Sequence, residues 1–364
     1  MRLIFLIFLF LSFASLAYVL WHVWQVLPWP SPWRWTAVVA FALCFLGMFY
    51  IFQGGLERLP LGVASVAYLI STSSLIVLLY LALVFLCADV LRLVRLLPAD
   101  VLRSNGTTAL CIGAGLTALL VWGNIRHHRK VRVPLRLTTE KPLAKEYKIV
   151  MMSDLHLGYH HRRREFARWV DLVNAERPDL ILIAGDIIDN SVRPLLEDGM
   201  AGEFRRLEAP VFACLGNHEY YSHVPQARAF YEEAGIRLLV DSCAVVDDAI
   251  CIIGRDDRTN AARKPLAALA EKAPKGLYTF VLDHQPYHLE QAERTGIDFQ
   301  LSGHTHRGQV WPISWLTDRM YECSFGPWQR GATRYYVSSG IGIWGGKFRI
   351  GTQSEYIVAT LSRE

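Results

Sequence analysis

The chain has 364 residues, enough for two domains, and 52% of them are hydrophobic. Its formal charge of +5, from 38 basic and 33 acidic side chains, gives no case for a nucleic-acid partner. The 7 cysteines include no Cys-x-x-Cys pair, which excludes a disulfide framework or zinc–thiolate site and suits a reducing compartment.

The apolar excess lies before residue 125. Residues 3–20, 35–52, 61–87 and 107–125 form four runs, each close to the about 20 residues that cross a hydrocarbon core. Trp21, Trp24, Trp29, Trp33 and Trp35 cluster between the first two, as interfacial aromatic residues do. The first run follows Arg2, as a signal peptide would, but it is long for one. No small-residue cleavage site precedes Trp21, so a retained helix is expected. Ser71-Thr72-Ser73-Ser74 is expected to bond neighbouring helices or its own backbone. With no Asp, Glu or Lys in mid-membrane, the bundle reads as an anchor.

Four crossings place the N-terminus and the large domain on one side, with Arg2, Arg58, Arg126, Arg129, Lys130, Arg132 and Arg136. Arg34, Arg92, Arg95 and Arg103 fall on the other. The positive-inside rule then puts the large domain in the cytoplasm of a multi-pass cell-membrane protein. Residues 126–146 read as a basic linker that meets anionic head groups or fixes topology. His127 and His128 are not expected as metal ligands, because adjacent residues on a helix point apart.

From residue 147 to 364 the chain reads as an ordinary α/β layered domain. Strands are predicted at 149–152, 180–184, 211–215, 237–240, 249–253, 278–282, 299–302, 335–338 and 356–361, and helices at 165–175, 195–207 and 225–234. Five of the strands run straight into metal-competent side chains. The first leads into Asp154-Leu155-His156, the next into Asp186-Ile187-Ile188-Asp189, and the third into Asn217-His218-Glu219. Two later strands lead into Asp283-His284 and His304-Thr305-His306. A lone buried His is usually a bonded core residue, but this succession points to a metal centre at one rim of a sheet. In an extended segment, Asp-x-His and His-x-His put both side chains on one face. Glycines before Asp186, Asn217 and His304 permit tight turns there.

The ordered set Asp-x-His, Gly-Asp-x-x-Asp, Gly-Asn-His-Glu, His and Gly-His-x-His resembles the calcineurin-like metallophosphoesterase superfamily over about residues 147–361. With the anchor in front and Gln309 behind the last block, it looks like the transmembrane metallophosphoesterase branch, of the bacterial membrane-anchored phosphodiesterase type. The resemblance implies a four-helix transmembrane bundle followed by a four-layer α/β/β/α sandwich. It implies one metal held by Asp154, His156, Asp186 and His306, and another held by Asp186, Asn217, His284 and His304. Oxygen and imidazole donors without thiolate suit Mn, Fe or Zn better than Ca. Two such ions about 3.5–4 Å apart would acidify a shared water for in-line attack on phosphorus. His218 is implied as the acid for the leaving oxygen, oriented and kept protonated by Asp189. The plainer reading of Asp189 is a helix N-terminal charge.

The expected activity is that of a phosphodiesterase or pyrophosphatase in lipid metabolism. Its substrate would be a phosphorylated small molecule or lipid, such as a phospholipid or a UDP-diacylglucosamine-type nucleotide lipid. The alternative is a non-catalytic membrane scaffold or sensor that uses the metal site to bind a ligand. Glu219 is expected to bond neighbouring backbone or a ligand, and Asp283 to lie beside the ligands or in a turn. Arg307 and the run His160-His161-Arg162-Arg163-Arg164 are expected to face solvent, with Asn260 and Arg263 as ordinary loop residues. The aromatic stretch from Trp311 to Trp328 reads either as a cap meeting acyl chains or the membrane surface, or as a hairpin on its own sheet. Glycines 340–346, near Arg349, look like turns approaching the site.

Overall fold

The computed structural model describes residues 2–98 and 100–364. The chain forms two compact units, one ending at Gly123 and including Gly345–Lys347, the other made of Asn124–Trp344 and Phe348–Glu364.

The first unit holds α1 (Arg2–Val26), α2 (Ser31–Phe52), α3 (Leu61–Leu93) and most of α4 (Gly106–His128). All four are long and apolar enough to cross a membrane. Prolines punctuate them: Pro28 and Pro30 follow α1, and Pro60 precedes α3. Asn105 Oδ1 accepts the Thr108 amide at 3.0 Å and so caps α4. The helices outrun the apolar stretches, because their flanking Trp, His, Asp and Arg residues are compatible with helix. α3 therefore takes in Asp89, which accepts from Tyr18 Oη at 2.8 Å and lies 2.9 Å from both His22 Nε2 and Arg92 Nη1. The serine-rich stretch is internally bonded, with Thr72 donating to the Tyr68 carbonyl and Ser74 to that of Ser71, both at 2.7 Å.

The second unit is built on two mixed six-stranded sheets. Sheet one runs β1-β12-β2-β3-β4-β5. Its strands are β1 (Lys130–Thr139), β2 (Tyr147–Met152), β3 (Leu180–Ala184), β4 (Val211–Cys214), β5 (Arg237–Leu238) and β12 (Ser354–Arg363). Sheet two runs β10-β11-β9-β8-β7-β6, from β6 (Ser242–Val246), β7 (Ile250–Gly254), β8 (Tyr278–Leu282), β9 (Phe299–Ser302), β10 (Gly326–Arg330) and β11 (Thr333–Val337). Period-two alternation builds the layers. Ile149, Met151, Leu180 and Leu182 of sheet one meet Ile250, Ile252, Phe280 and Leu301 of sheet two in an inner core. Val150, Ile181 and Ile183 point the other way, under α5 (Arg163–Ala175), α6 (Arg193–Glu197), α7 (Met200–Phe204) and α9 (Val224–Glu233). The far face of sheet two is covered by α10 (Leu266–Lys272) and α11 (Glu290–Arg294). The architecture is a four-layer α/β/β/α sandwich, as the resemblance implied. Two further helices, α8 (Asn217–Tyr221) and α12 (Ile313–Met320), lie beside the loops that carry the site.

Two local readings change. Residues 195–207 form two short helices, α6 and α7, because Gly199 between them sits at φ 64°. The stretch read as a basic linker contains β1, paired in parallel with β12 over ten residues from Lys130↔Ser354 to Thr139↔Arg363. Its Arg132, Pro134 and Arg136 are exposed while alternate residues turn inward. Charged residues and proline are how an edge strand blunts further pairing. The same alternation of charge and aliphatic residue disguised it as linker.

Candidate metal centre

β2, β3 and β4 are parallel neighbours, as are β8 and β9, so the residues after them emerge along one rim of the two sheets. Asp154 and His156 follow β2, Asp186 follows β3, Asn217 and His218 follow β4, and His284 and the His304–His306 pair follow β8 and β9. The ligand atoms of Asp154, His156 and His306 lie within 4.8 Å of one another, and so do those of Asp186, His284 and His304. Asp186 joins the two groups, with Oδ2 3.0 Å from His284 Nε2 and 3.7 Å from His156 Nε2. His156 Nε2 and His306 Nε2 approach to 3.0 Å. Asn217 Oδ1 lies 2.8 Å from His304 Nδ1. The seven residues expected as ligands thus converge.

They do so by a different local route from the one expected. Asp154 (φ 54°), His156 (47°), Asp186 (52°), His304 (72°) and His306 (47°) occupy the left-handed region, so Asp-x-His and His-x-His are curled rather than extended. Such residues cost of order 1–3 kcal/mol each and persist where their surroundings over-determine them. The glycines serve mainly close approach. A Cβ on Gly216 would collide with Asp186 Oδ1, and one on Gly185, itself at φ 76°, would meet the Gly216 nitrogen at 2.8 Å.

The donor set fits divalent ions. A carbonyl oxygen can only accept, so His284 Nδ1, 2.7 Å from the Ala184 carbonyl, carries a ring hydrogen and leaves Nε2 to face the site. His284 Nε2 is buried without a hydrogen bond 3.0 Å from Asp186 Oδ2; burial draws this imidazole down, but the Asp186 carboxylate lifts it well above the usual histidine range. A divalent cation between them would take the place of the Nε2 proton, in the arrangement by which a protein orients a ligating histidine.

A model of calcineurin-like phosphoesterases matches residues 147–308. An uncharacterized metallophosphoesterase of Aquifex aeolicus is 30% identical over 62% of this chain and 89% of its own length. The chain belongs to the calcineurin-like phosphoesterase family. A transmembrane protein with metallophosphoesterase domain from Danio rerio is 34% identical over 57% of this chain and 51% of its own length. An uncharacterized metallophosphoesterase of Campylobacter jejuni is 29% identical over 68% of this chain and 67% of its own length. The match thus spans about half of the Danio protein and two thirds of the Campylobacter one.

Within this calcineurin-like centre the charges are tightly coupled. Burial pushes Asp154 up, but the His306 and His156 imidazoles outweigh it and hold the carboxyl well below the usual range. Asp186 is held low in the same way, against burial, by His284 and His218. Burial draws His156 down, yet Asp154 and Asp189 lift it to about 10. Burial, reinforced by His284, lowers His304 to about 4. Asp189 is fully buried and not on a helix, so the helix-terminal reading falls. Its carboxylate Oδ1 lies 3.3 Å from both His218 Nδ1 and His156 Nδ1, and its backbone carbonyl accepts from His218 Nδ1 at 3.0 Å. The link to His156 was not foreseen.

Glu219 is a buried hub. Its Oε2 accepts the amides of Asp186 (3.1 Å) and Gly216 (2.6 Å). Its Oε1 accepts those of Ile187 (2.8 Å) and Ile188 (3.0 Å) and the Tyr231 hydroxyl (2.7 Å). Burial and Asp186 push this carboxyl up, but every neighbour is a donor, which only the ionised form satisfies.

Other positions depart from expectation. Asp283 accepts from Arg255 (2.7 Å) and Arg263 (3.0 Å), so Arg263 is half of an ion pair rather than a plain loop residue. Asn260 donates to Asp256 at 2.8 Å. Arg307 is half-buried, its guanidinium 4.8 Å from the Phe325 ring centroid. His160 and His161 are buried, while Arg162 pairs with Asp198 and Arg163 with Glu203. Arg349 lies by the glycine turns as expected, but its bonding role was not anticipated. It is fully buried and donates to the carbonyls of His306 (2.9 Å), Gly342 (2.8 Å) and Ser339, and so holds the His306 turn against the 339–342 loop. A single Arg in a glycine-rich stretch was its only signal in the sequence.

Proposed function

We propose that the chain is a membrane-anchored, metal-dependent phosphoester hydrolase with two divalent ions. One is held by Asp154, His156, Asp186 and His306, the other by Asp186, Asn217, His284 and His304. The observation that carries this is the placement of Asp186 Oδ2 between His284 and His156, which makes one carboxylate common to two ligand groups. Bound there, the ions would supply Lewis acidity at the phosphoryl group. The protein's part is proton delivery and positioning. With Nδ1–H given to the Asp189 carbonyl, His218 keeps Nε2 to pass a proton to the leaving oxygen. A non-catalytic ligand sensor has no need of an oriented acid, so His218 favours turnover.

The favoured substrate is a phosphodiester or pyrophosphate with a lipid part. α12 follows His306 closely, and its Trp315, Leu316 and Met320 are 62%, 58% and 57% exposed. An exposed apolar helix of this kind suits acyl chains or a bilayer surface better than a packed hairpin. We further propose a multi-pass topology with the hydrolase domain in the cytoplasm, on the distribution of Arg and Lys.

The test uses full-length protein in detergent, stripped with EDTA and reloaded with Mn, Zn or Fe. Bis(p-nitrophenyl) phosphate, phospholipids and nucleotide-diacyl sugars are followed by absorbance and mass spectrometry. Metal-restored hydrolysis is expected, and none on any substrate with any metal would sink the reading. His218→Asn should lower kcat about 100-fold, the lower end of what a general acid contributes. Its metal content should be that of the parent, and loss of metal instead would reassign His218 as a ligand.

A further inference from the structure

We propose that the chain holds a further divalent cation, separate from the two-metal centre, at a site made by His127, His161 and Glu165 and suited to zinc. His127 lies in the last turn of α4, His161 in the turn before α5, and Glu165 in the first turn of α5. Both imidazoles are fully buried and Glu165 is half-buried.

Two of the three spacings are those of a tetrahedral site, and the third would close by about 0.6 Å on binding. His127 Nε2 is 3.3 Å from Glu165 Oε1 and 3.4 Å from His161 Nε2, and the third side, His161 Nε2 to Glu165 Oε1, is 4.0 Å. Tetrahedral zinc with bonds of about 2.0–2.1 Å places its ligands about 3.3–3.4 Å apart, and two imidazoles with one carboxylate are a common set for it. No thiolate is involved, so softer ions are disfavoured.

The hydrogen-bond chemistry points the same way. His161 Nδ1 lies 3.1 Å from the His156 carbonyl, which can only accept. The neutral ring therefore turns its Nε2 lone pair toward His127 Nε2 and the Glu165 carboxylate. His127 Nδ1 lies 3.4 Å from the Ser354 hydroxyl, so its Nε2 faces the same point. The Nε2 atoms of two imidazoles and the Glu165 carboxylate thus meet at one point, where a divalent cation can take the place of the proton held there. His128 Nδ1, 3.6 Å from Glu165 Oε1 on a half-exposed ring, or water, completes the shell. Adjacent histidines on a helix thus do share a partner here, because Glu165 reaches between them. Lys130 is the feature that opposes a cation. Its ammonium is engaged by the His127 carbonyl at 2.9 Å and lies 4.6 Å from the Trp169 ring centroid.

An ion there would brace the turn that carries His156, since His161 also accepts the Gly158 amide through its carbonyl at 3.1 Å. The test is metal content of the full-length, detergent-purified chain, saturated with Zn²⁺, desalted and assayed by inductively coupled plasma mass spectrometry. About three ions per chain are expected in the parent and about two in Glu165→Gln and His161→Asn. Asp186→Asn, which disables the two-metal centre, should keep the ion at His127, so the two sites fail separately. Crystals of the parent measured at the zinc edge should show an anomalous peak bonded to His127 Nε2 and His161 Nε2, which holds even if a variant fails to fold. A parent chain with about two ions and no such peak, or variants that keep a full complement, would overturn the site.

Discussion

Asp186→Asn is expected to lower metal-dependent phosphoester hydrolysis about 1,000-fold or more, with kcat carrying the loss and the fold retained. An amide keeps the size of the side chain and one oxygen, but it loses the negative charge on which the two ligand groups converge. Oδ1 accepts the His218 amide at 2.9 Å, and Oδ2 is the atom between His284 and His156. In the substituted chain one orientation of the amide leaves its oxygen on His218 and turns an NH₂ toward both imidazoles. The other orientation puts NH₂ against the His218 N–H. The first orientation removes an oxygen from both ion positions, and the second leaves only an uncharged oxygen there and costs the His218 hydrogen bond. Lewis acidity at a phosphoryl oxygen is worth several kcal/mol, and about 4 kcal/mol corresponds to about 1,000-fold in rate. The check is kcat with saturating Mn beside metal content per chain. A D186N enzyme within about tenfold of the parent, where about 1.4 kcal/mol is a factor of ten, would remove Asp186 from the centre.

What the sequence carried well was the succession of strand ends. Short apolar strands buried on both faces leave little choice but to put their polar successors at the rim, so Asp154, Asp186, Asn217, His284 and His304 were legible one by one. The left-handed conformations at Asp154, His156 and His306 were not, because tertiary packing rather than local preference selects them. β1 escaped because an edge strand with one wet face alternates charge and aliphatic residue just as a basic juxtamembrane stretch does. The bonding of Arg349 and Asp283 escaped for a related reason. Their partners are backbone carbonyls and distant arginines, which leave no spacing in the chain. The cluster of His127, His161 and Glu165 shows the limit of helix geometry alone. The His127 and His128 rings lie 4.9 Å apart with their planes 59° apart, and a carboxylate brought in from α5 can touch both.

Glu219→Gln is the sharpest test of how the bridging aspartate is held, and it should destabilise the hydrolase domain by about 2–4 kcal/mol. The substitution is nearly isosteric, so no cavity forms and the effect isolates hydrogen bonding. Four amides and one hydroxyl donate to the two carboxylate oxygens. A Gln amide has one acceptor oxygen, and its NH₂ must face the donors on the other side. Placed at the Oε2 position, that NH₂ opposes the amides of Asp186 and Gly216. Placed at Oε1, it opposes Ile187 and Ile188, and only the Tyr231 hydroxyl can turn to accept. Two backbone N–H groups are left buried and unpaired in either case, at about 1–3 kcal/mol each. Three of the four amides belong to the turn that presents Asp186, already strained at φ 52°, and the fourth, of Gly216, ties that turn to the one carrying Asn217. For a domain of this size the melting temperature should fall by about 5–15 °C. Metal affinity should weaken with it, because the turn must be re-formed before both ligand groups can be bridged. Glu219→Asp, which keeps the charge but shortens the reach, should recover part of the stability. An E219Q protein that melts with the parent and binds metal as tightly would mean that Glu219 is protonated in the folded chain, since only then would an amide be an equivalent partner.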